Sequence, residues 1–198
     1  MKLIVLSSAF AGLAFTASAQ DFSLSLSGPT SPELGSVIIV EVVGDSSFGT
    51  HMLGGGFSLE TNSSLIENIT WNPASWSAFN EDNEGYLGNG NYGQVVFGQL
   101  LLPIPGFDVP AAGSELGGLI GTFEVEIATE GSGVIDFSLV ASTPFTLEAV
   151  DVNNGLSTAQ DVDGSLTLNG FSAFLIPNPS VTALFAFAGL AASRRRRA

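Results

Sequence analysis

Hydrophobic and polar positions alternate in short runs along most of this chain. Phe22, Leu24 and Leu26 are separated by serines, a period of two that turns one face of a strand toward a core. Val37 to Val43 is a near-continuous β-branched run, which predicts a strand buried on both faces. Phe57 and Leu59 follow three consecutive glycines, Gly54 to Gly56. Leu65 to Trp71, Val95 to Leu102 and Leu119 to Ile127 add three further runs; in the last, Phe123, Val125 and Ile127 share one side while Thr122, Glu124 and Glu126 share the other. Ile135, Phe137 and Leu139 continue the rule, as do Phe145 with Leu147 and Leu166 with Leu168. About nine strands, punctuated by Gly, Pro, Asn, Asp and Ser clusters, predict an all-β protein: a single two-sheet β-sandwich of jelly-roll-like form. The 24 glycines and the lack of a 3.6-residue period between the two ends agree with that fold class.

The ends follow a different pattern. Residues 1–19 carry a basic start, an apolar run and then Ala17-Ser18-Ala19 before Gln20, the layout of a signal helix with a small-residue cleavage site. At the other end, Pro177-Asn178-Pro179 precedes the uncharged stretch Val181 to Ala192, and Arg194, Arg195, Arg196 and Arg197 follow it. This arrangement resembles the PEP-CTERM sorting signal of exported bacterial proteins: a proline motif, a small-residue-rich apolar helix and an arginine cluster. Asn178 departs from that motif, which usually has Glu between the prolines. The resemblance implies processing by an integral-membrane exosortase and association with exopolysaccharide, biofilm or floc. A plain C-terminal anchor is the alternative; it accounts for the apolar run and for arginines held on the cytoplasmic side, but not for the Pro-x-Pro. The expected organisation is therefore a signal peptide over residues 1–19, a sandwich over 20–170, and a sorting and membrane-anchor segment with a hydrophobic helix over 171–198. An inner-membrane-anchored precursor would then give a cell-surface or extracellular product.

Charge sharpens this division. All 19 carboxylates lie between Asp21 and Asp163, whereas the five basic residues are Lys2 and the arginine block. The central domain is a polyanion without Lys or Arg, which excludes nucleic acid as a partner and favours cations, neutral glycans or basic surfaces. The absence of cysteine excludes disulfides, thiolate metal sites and a Cys nucleophile.

Within the domain, the strand Ser36 to Val43 followed by Gly55-Gly-Phe-Ser-Leu-Glu60, and the later pair Leu119 to Val125 and Gly133 to Leu139, resemble the opening and closing strands of cohesin-like and related carbohydrate-binding sandwiches. The cohesin resemblance implies a nine-stranded jelly roll that binds dockerin modules, presenting a flat sheet face with exposed apolar residues. No individual binding residue transfers from it.

Catalytic constellations are missing. His51 is the sole histidine, expected in a turn and without a second imidazole for a zinc site. No Gly-x-Ser-x-Gly elbow occurs, and solvated strand faces account for Glu41, Glu124, Glu126 and Glu148. The expectation is a protein that is not an enzyme. The triplets Asn62-Ser-Ser64 and Asn68-Ile-Thr70 match the glycosylation acceptor pattern, which arises often by chance.

The stretch Asn72 to Gly93 reads as a loop of about 22 residues, a length usually associated with function. Both tryptophans and both tyrosines of the chain, Trp71, Trp76, Tyr86 and Tyr92, fall in it or at its root. Exposed, they would stack on sugar rings; alternatively, Trp71 and Trp76 cap the end of the sandwich as core. Glu81, Asp82 and Glu84 in the same stretch, and Asp151, Asp161 and Asp163 later, supply hard oxygen donors of the kind calcium takes. Neither set has EF-hand spacing, and no cofactor is required. The expected function is that of a non-enzymatic surface or matrix protein. The alternatives are a carbohydrate-binding module, with extracellular polysaccharide as ligand, and a cohesin-like module that binds another surface protein.

Overall fold

Alternation becomes paired strands throughout the computed structural model, which describes residues 20–102, 105, 108–159 and 164–176. The expected signal helix, the hydrophobic tail helix, the proline motif, the arginine block and both Asp161 and Asp163 lie outside the described residues. Thirteen strands are described: β1 (Gln20–Ser27), β2 (Val37–Ser46), β3 (His51–Glu60), β4 (Ile66–Pro73), β5 (Asp82–Asn83), β6 (Tyr86–Gly88), β7 (Asn91–Gly98), β8 (Leu119–Ile127), β9 (Val134–Ala141), β10 (Glu148–Asp151), β11 (Leu156–Ala159), β12 (Gly164–Asn169) and β13 (Phe171–Phe174). No helix occurs among these residues, and none there is long and apolar enough to cross a membrane.

The strands form two sheets. One has the order β12-β1-β2-β8-β4; the other has the order β11-β10-β3-β7-β5, with β9 pairing β3 and β13, and β6 pairing β7. All pairings are antiparallel except β1 with β12, which run parallel with Phe22 opposite Leu166 and Leu24 opposite Leu168. The core lies between the sheets. Phe22, Leu24, Val40, Val42, Phe123 and Val125 from the first sheet meet Met52, Phe57, Leu59, Val95, Phe97, Ile135 and Phe137 from the second. At roughly 1.5–3 kcal/mol for each fully buried large apolar side chain, this face-to-face burial is the main force holding the sandwich.

Several features differ from the sequence expectation, among them the number of strands, thirteen against about nine. The β-branched run of β2 is buried on one face only: Ile38, Val40 and Val42 point inward, while Val37 and Ile39 stay 55% and 46% exposed. The first sheet has the second on one side and solvent on the other, so a β-branched run need not mean two covered faces. Phe145 and Leu147 belong to no strand; Leu147 is nevertheless buried. Finally, the paired sandwich continues past Gly170. Phe171 stacks on Phe137 with centroids 4.8 Å apart, Ala173 is fully buried, and Leu34 N–H donates to the Ile176 carbonyl at 3.0 Å. The boundary expected at residue 170 thus falls before a strand that the second sheet uses as a neighbour of β9.

Candidate functional site

Trp71 sits on β4 at 6% exposure, with its ring 5.5 Å from Phe57 in an edge contact and 4.8 Å from Phe123. Trp76 is 3% exposed, packs edge-on to Phe97 and donates its Nε1–H to the Leu119 carbonyl at 2.7 Å. Tyr92 is buried in β7, and its hydroxyl donates to Asn83 Oδ1 at 2.7 Å. Burial pushes its pKa above the usual 10.0, the Glu81 charge pushes the same way, and a hydrogen bond with the Trp71 backbone opposes both. Tyr86 is half-buried, its hydroxyl donating to the Ile66 carbonyl at 2.9 Å and accepting from Gly90 N–H at 3.1 Å.

These four aromatics therefore build the core and its rim, and of the two alternatives the burial of Trp71 and Trp76 matches the one in which they cap the sandwich. The reason is local. The stretch Asn72 to Gly93 is not an open loop: β5 and β6 fold it back onto β7, with Asp82 opposite Val96 and Tyr86 opposite Tyr92. Phe79 alone among its aromatics remains outside, at 64% exposure.

Of the candidate calcium ligands among the described residues, Glu81, Asp82 and Glu84 are exposed and Asp151 is half-buried, and three of them are engaged with neighbouring groups. Glu81 accepts from Asn83 Nδ2 at 2.7 Å, and Glu84 accepts from the backbone N–H of Gln94 at 3.0 Å. Asp151 Oδ1 accepts from the backbone N–H of Asn153 at 3.0 Å at the β10–β11 turn, the hydrogen bond of an Asx turn, and its carboxylate also accepts from Asn153 Nδ2 and Asn154 Nδ2. Among the described residues no group of three or more His, Asp or Glu side chains could hold a metal ion. His51 opens β3 instead of sitting in a turn, its Nδ1 2.9 Å from Thr50 Oγ1.

One cavity among the described residues was not anticipated. On the outer face of the second sheet a groove of about 310 Å³ lies over Gly54, Gly55 and Gly56. Leu53, Val96, Leu100, Leu101, Pro144 and Phe145 supply apolar walls, and Asn80, Gln94, Gln99, Ser142 and Glu148 supply polar ones. Glycine is required beneath it because two segments close on β3. A Cβ at Gly54 would stand 2.9 Å from the Phe97 carbonyl, and one at Gly55 would run into that of Thr146. The same residues that let the backbones approach leave the groove floor bare of side chains.

Several polar wall groups are spent on structure. Gln99 Nε2 donates to the Met52 carbonyl and its Oε1 accepts from Ala111 N–H, while Gln94 Nε2 donates to Ser142 Oγ at 2.6 Å. The available lining is thereby mainly apolar. A smaller notch of about 100 Å³, lined by Asp82, Asn83 and Glu84, shares Gln94 and Val96 with the groove. The sequence signal for this site was the triple glycine interrupting an alternating strand, a mark of close backbone approach. The opposite outer face, on the first sheet, is chemically different: Val37 and Ile39 lie opposite Glu126 and Glu124.

No family model matches the chain, and no curated protein matches it. Solved structures do. A type I cohesin–dockerin complex from Clostridium thermocellum contains a chain that aligns with TM-score 0.52 and 12% identity, covering 79% of this chain and 99% of that one. A cohesin module from a Clostridium perfringens family 33 glycoside hydrolase aligns with TM-score 0.45 at 12% identity, over 79% and 98%. A type II cohesin domain from the cellulosome of Acetivibrio cellulolyticus aligns with TM-score 0.45 at 11%, over 79% and 95%. The first of these likenesses shows the fold, a cohesin-like β-sandwich.

Proposed function

We propose that this chain is an exported, non-enzymatic protein-interaction module whose docking surface is the outer face of the second sheet around the glycine-floored groove. The groove carries the reading: it is open, mainly apolar and built from strand and loop residues that the fold holds in place. Alignment over 99% of a chain taken from a cohesin–dockerin complex supports a partner that is itself a protein. Burial of Trp71, Trp76 and Tyr92 disfavours the glycan alternative, since sugar stacking needs free ring faces.

Export and surface retention complete the proposal, supported by the chain's ends. Ala17-Ser18-Ala19 directly precedes Gln20, the first residue of β1, so cleavage there would spare every described strand. The tail, with Pro177, Asn178, Pro179 and the four arginines, would bring the domain to an exosortase and then into the extracellular polymer layer.

The test immobilises the mature domain and exposes it to the secreted proteins of the source organism. Retention of a discrete protein, lost with Val96→Arg on the groove and kept with Ile39→Arg on the opposite sheet, is the expected result. Equal retention by the two variants would sink the assignment of this face. Intact-mass measurement of the exported form tests the tail, because a product still ending in the arginine block contradicts processing.

A further inference from the structure

We infer that the groove and the Asp82–Glu84 notch form one continuous site for an extended polypeptide segment that carries an apolar side chain and, two to four residues away, a lysine or arginine. This deepens the interaction reading above and rests on it.

The register fixes the geometry. Asp82 lies opposite Val96 on β7, and Val96 lies opposite Gly56 on β3, so one row across the sheet runs from carboxylate to apolar wall to the glycine floor, at the point where Ser142 lies against Gly56. Neighbouring strands stand about 4.8 Å apart, which puts Asp82 roughly 10 Å from the floor at Gly56. An extended chain advances about 3.3 Å per residue, so a segment crossing the strands covers that distance in about three residues. The reach of a long basic side chain widens the spacing to two to four.

The chemistry at the two ends differs in the required sense. At the groove end, Leu53, Val96, Leu100 and Phe145 surround a floor with no side chains, a seat for one apolar group. At the notch end, Asp82 and Glu84 are exposed, with Glu81 next to them and Glu148 on the groove wall. Every residue from Leu3 to Ser193 is something other than Lys or Arg, so no basic side chain of the described domain neutralises these carboxylates. A basic partner is drawn in by the field of the domain and held at the notch, while an acidic one is repelled. A second copy of this domain is excluded as the occupant by the same charge.

The test uses fluorescein-labelled ten-residue Gly/Ser peptides. One carries Leu with Arg three residues later; the controls carry Leu alone, Arg alone, or Leu with Glu. Anisotropy gives affinity, and backbone amide shifts of Gly54, Gly55 and Gly56 report occupancy of the floor. The Leu–Arg peptide should bind tightest and move those amides. The double variant Asp82→Asn/Glu84→Gln retains an acceptor for Gln94 N–H and should weaken binding roughly three- to tenfold at low salt, a difference lost in about 0.5 M salt. Equal binding by the Arg-only peptide without glycine shifts would reduce the effect to diffuse attraction and overturn the inference. So would an unaltered affinity in the double variant. If the peptides fail while partner retention remains sensitive to Val96→Arg, the module reading stands and this one falls.

Discussion

The two tryptophans offer a matched pair of perturbations. Trp76 and Trp71 are buried to nearly the same degree, at 3% and 6% exposure, yet their indole N–H groups differ. That of Trp76 donates to the Leu119 carbonyl at 2.7 Å, whereas that of Trp71 is buried without a hydrogen-bond partner. Replacing either by Phe removes the same ring atoms, at about 1–2 kcal/mol for the lost packing. Trp76→Phe also loses a buried hydrogen bond, adding about 1–3 kcal/mol. Trp71→Phe instead removes an unpaired buried donor, returning a penalty of about 1–3 kcal/mol. Trp76→Phe should therefore destabilise the domain by about 2–5 kcal/mol and Trp71→Phe by about 1 kcal/mol or less. Urea unfolding followed by far-UV circular dichroism measures both without depending on the fluorophore being changed, and an unchanged m-value licenses the comparison. If Trp71→Phe proves as costly as Trp76→Phe, the hydrogen-bond assignment is wrong. Glycan binding lost with Trp76→Phe at unchanged stability would contradict its place in the core.

Other outcomes follow from the same structure. Tyr92 has a folded pKa raised, chiefly by burial, above its unfolded value, so its share of stability is complete below about pH 10 and is lost as pH rises through the folded pKa. Urea midpoints between about pH 8 and 11.5 should fall on the alkaline side, and Tyr92→Phe should flatten that fall while costing about 1 kcal/mol at neutral pH for the bond to Asn83. Screening should stabilise a domain whose charges are nearly all of one sign. Raising NaCl from about 20 to 500 mM should add roughly 1 kcal/mol, or about 3–6 °C in the thermal midpoint. Calcium at matched ionic strength should do no more, and a further rise would reveal a bound ion. A chain ending at Gly170 lacks the strand that covers Phe137 and should unfold at lower denaturant than one ending at Ile176, with equal midpoints refuting the role of β13. Gly55→Ala should destabilise the domain by about 2 kcal/mol or more, because its Cβ meets the Thr146 carbonyl. A smaller loss there would show that the 144–148 segment yields.

Much of the fold was legible because alternation is a local property. Leu119–Ile127 appears with the bounds and the inward set read from its pattern, and β1, β4, β9 and β12 differ from their runs mainly at the ends. The short strands escaped for an equally physical reason. β5 and β6 have two and three residues, too few to show a period, and exist because β7 offers them an edge. β11 and β13 have four each and are likewise defined by their partners. The candidate site was least legible. Aromatic content in an apparent loop suggested exposure, but whether a tryptophan faces water depends on what folds over it.

The amino-acid pattern by itself determined that the domain between the two ends is all-β, which alternating side chains of its longer strands face the core, and that its acids and its bases occupy separate segments. Those properties depend on neighbours one or two residues away, or on simple counting. The tertiary structure alone decided which strands meet, as where Ser165 Oγ donates to Asp21 Oδ1 across 144 residues of sequence. It alone turned three glycines into the floor of a groove and set an acidic notch beside it. Such a surface comes from segments far apart in sequence, brought together only when burial of the common core closes the two sheets.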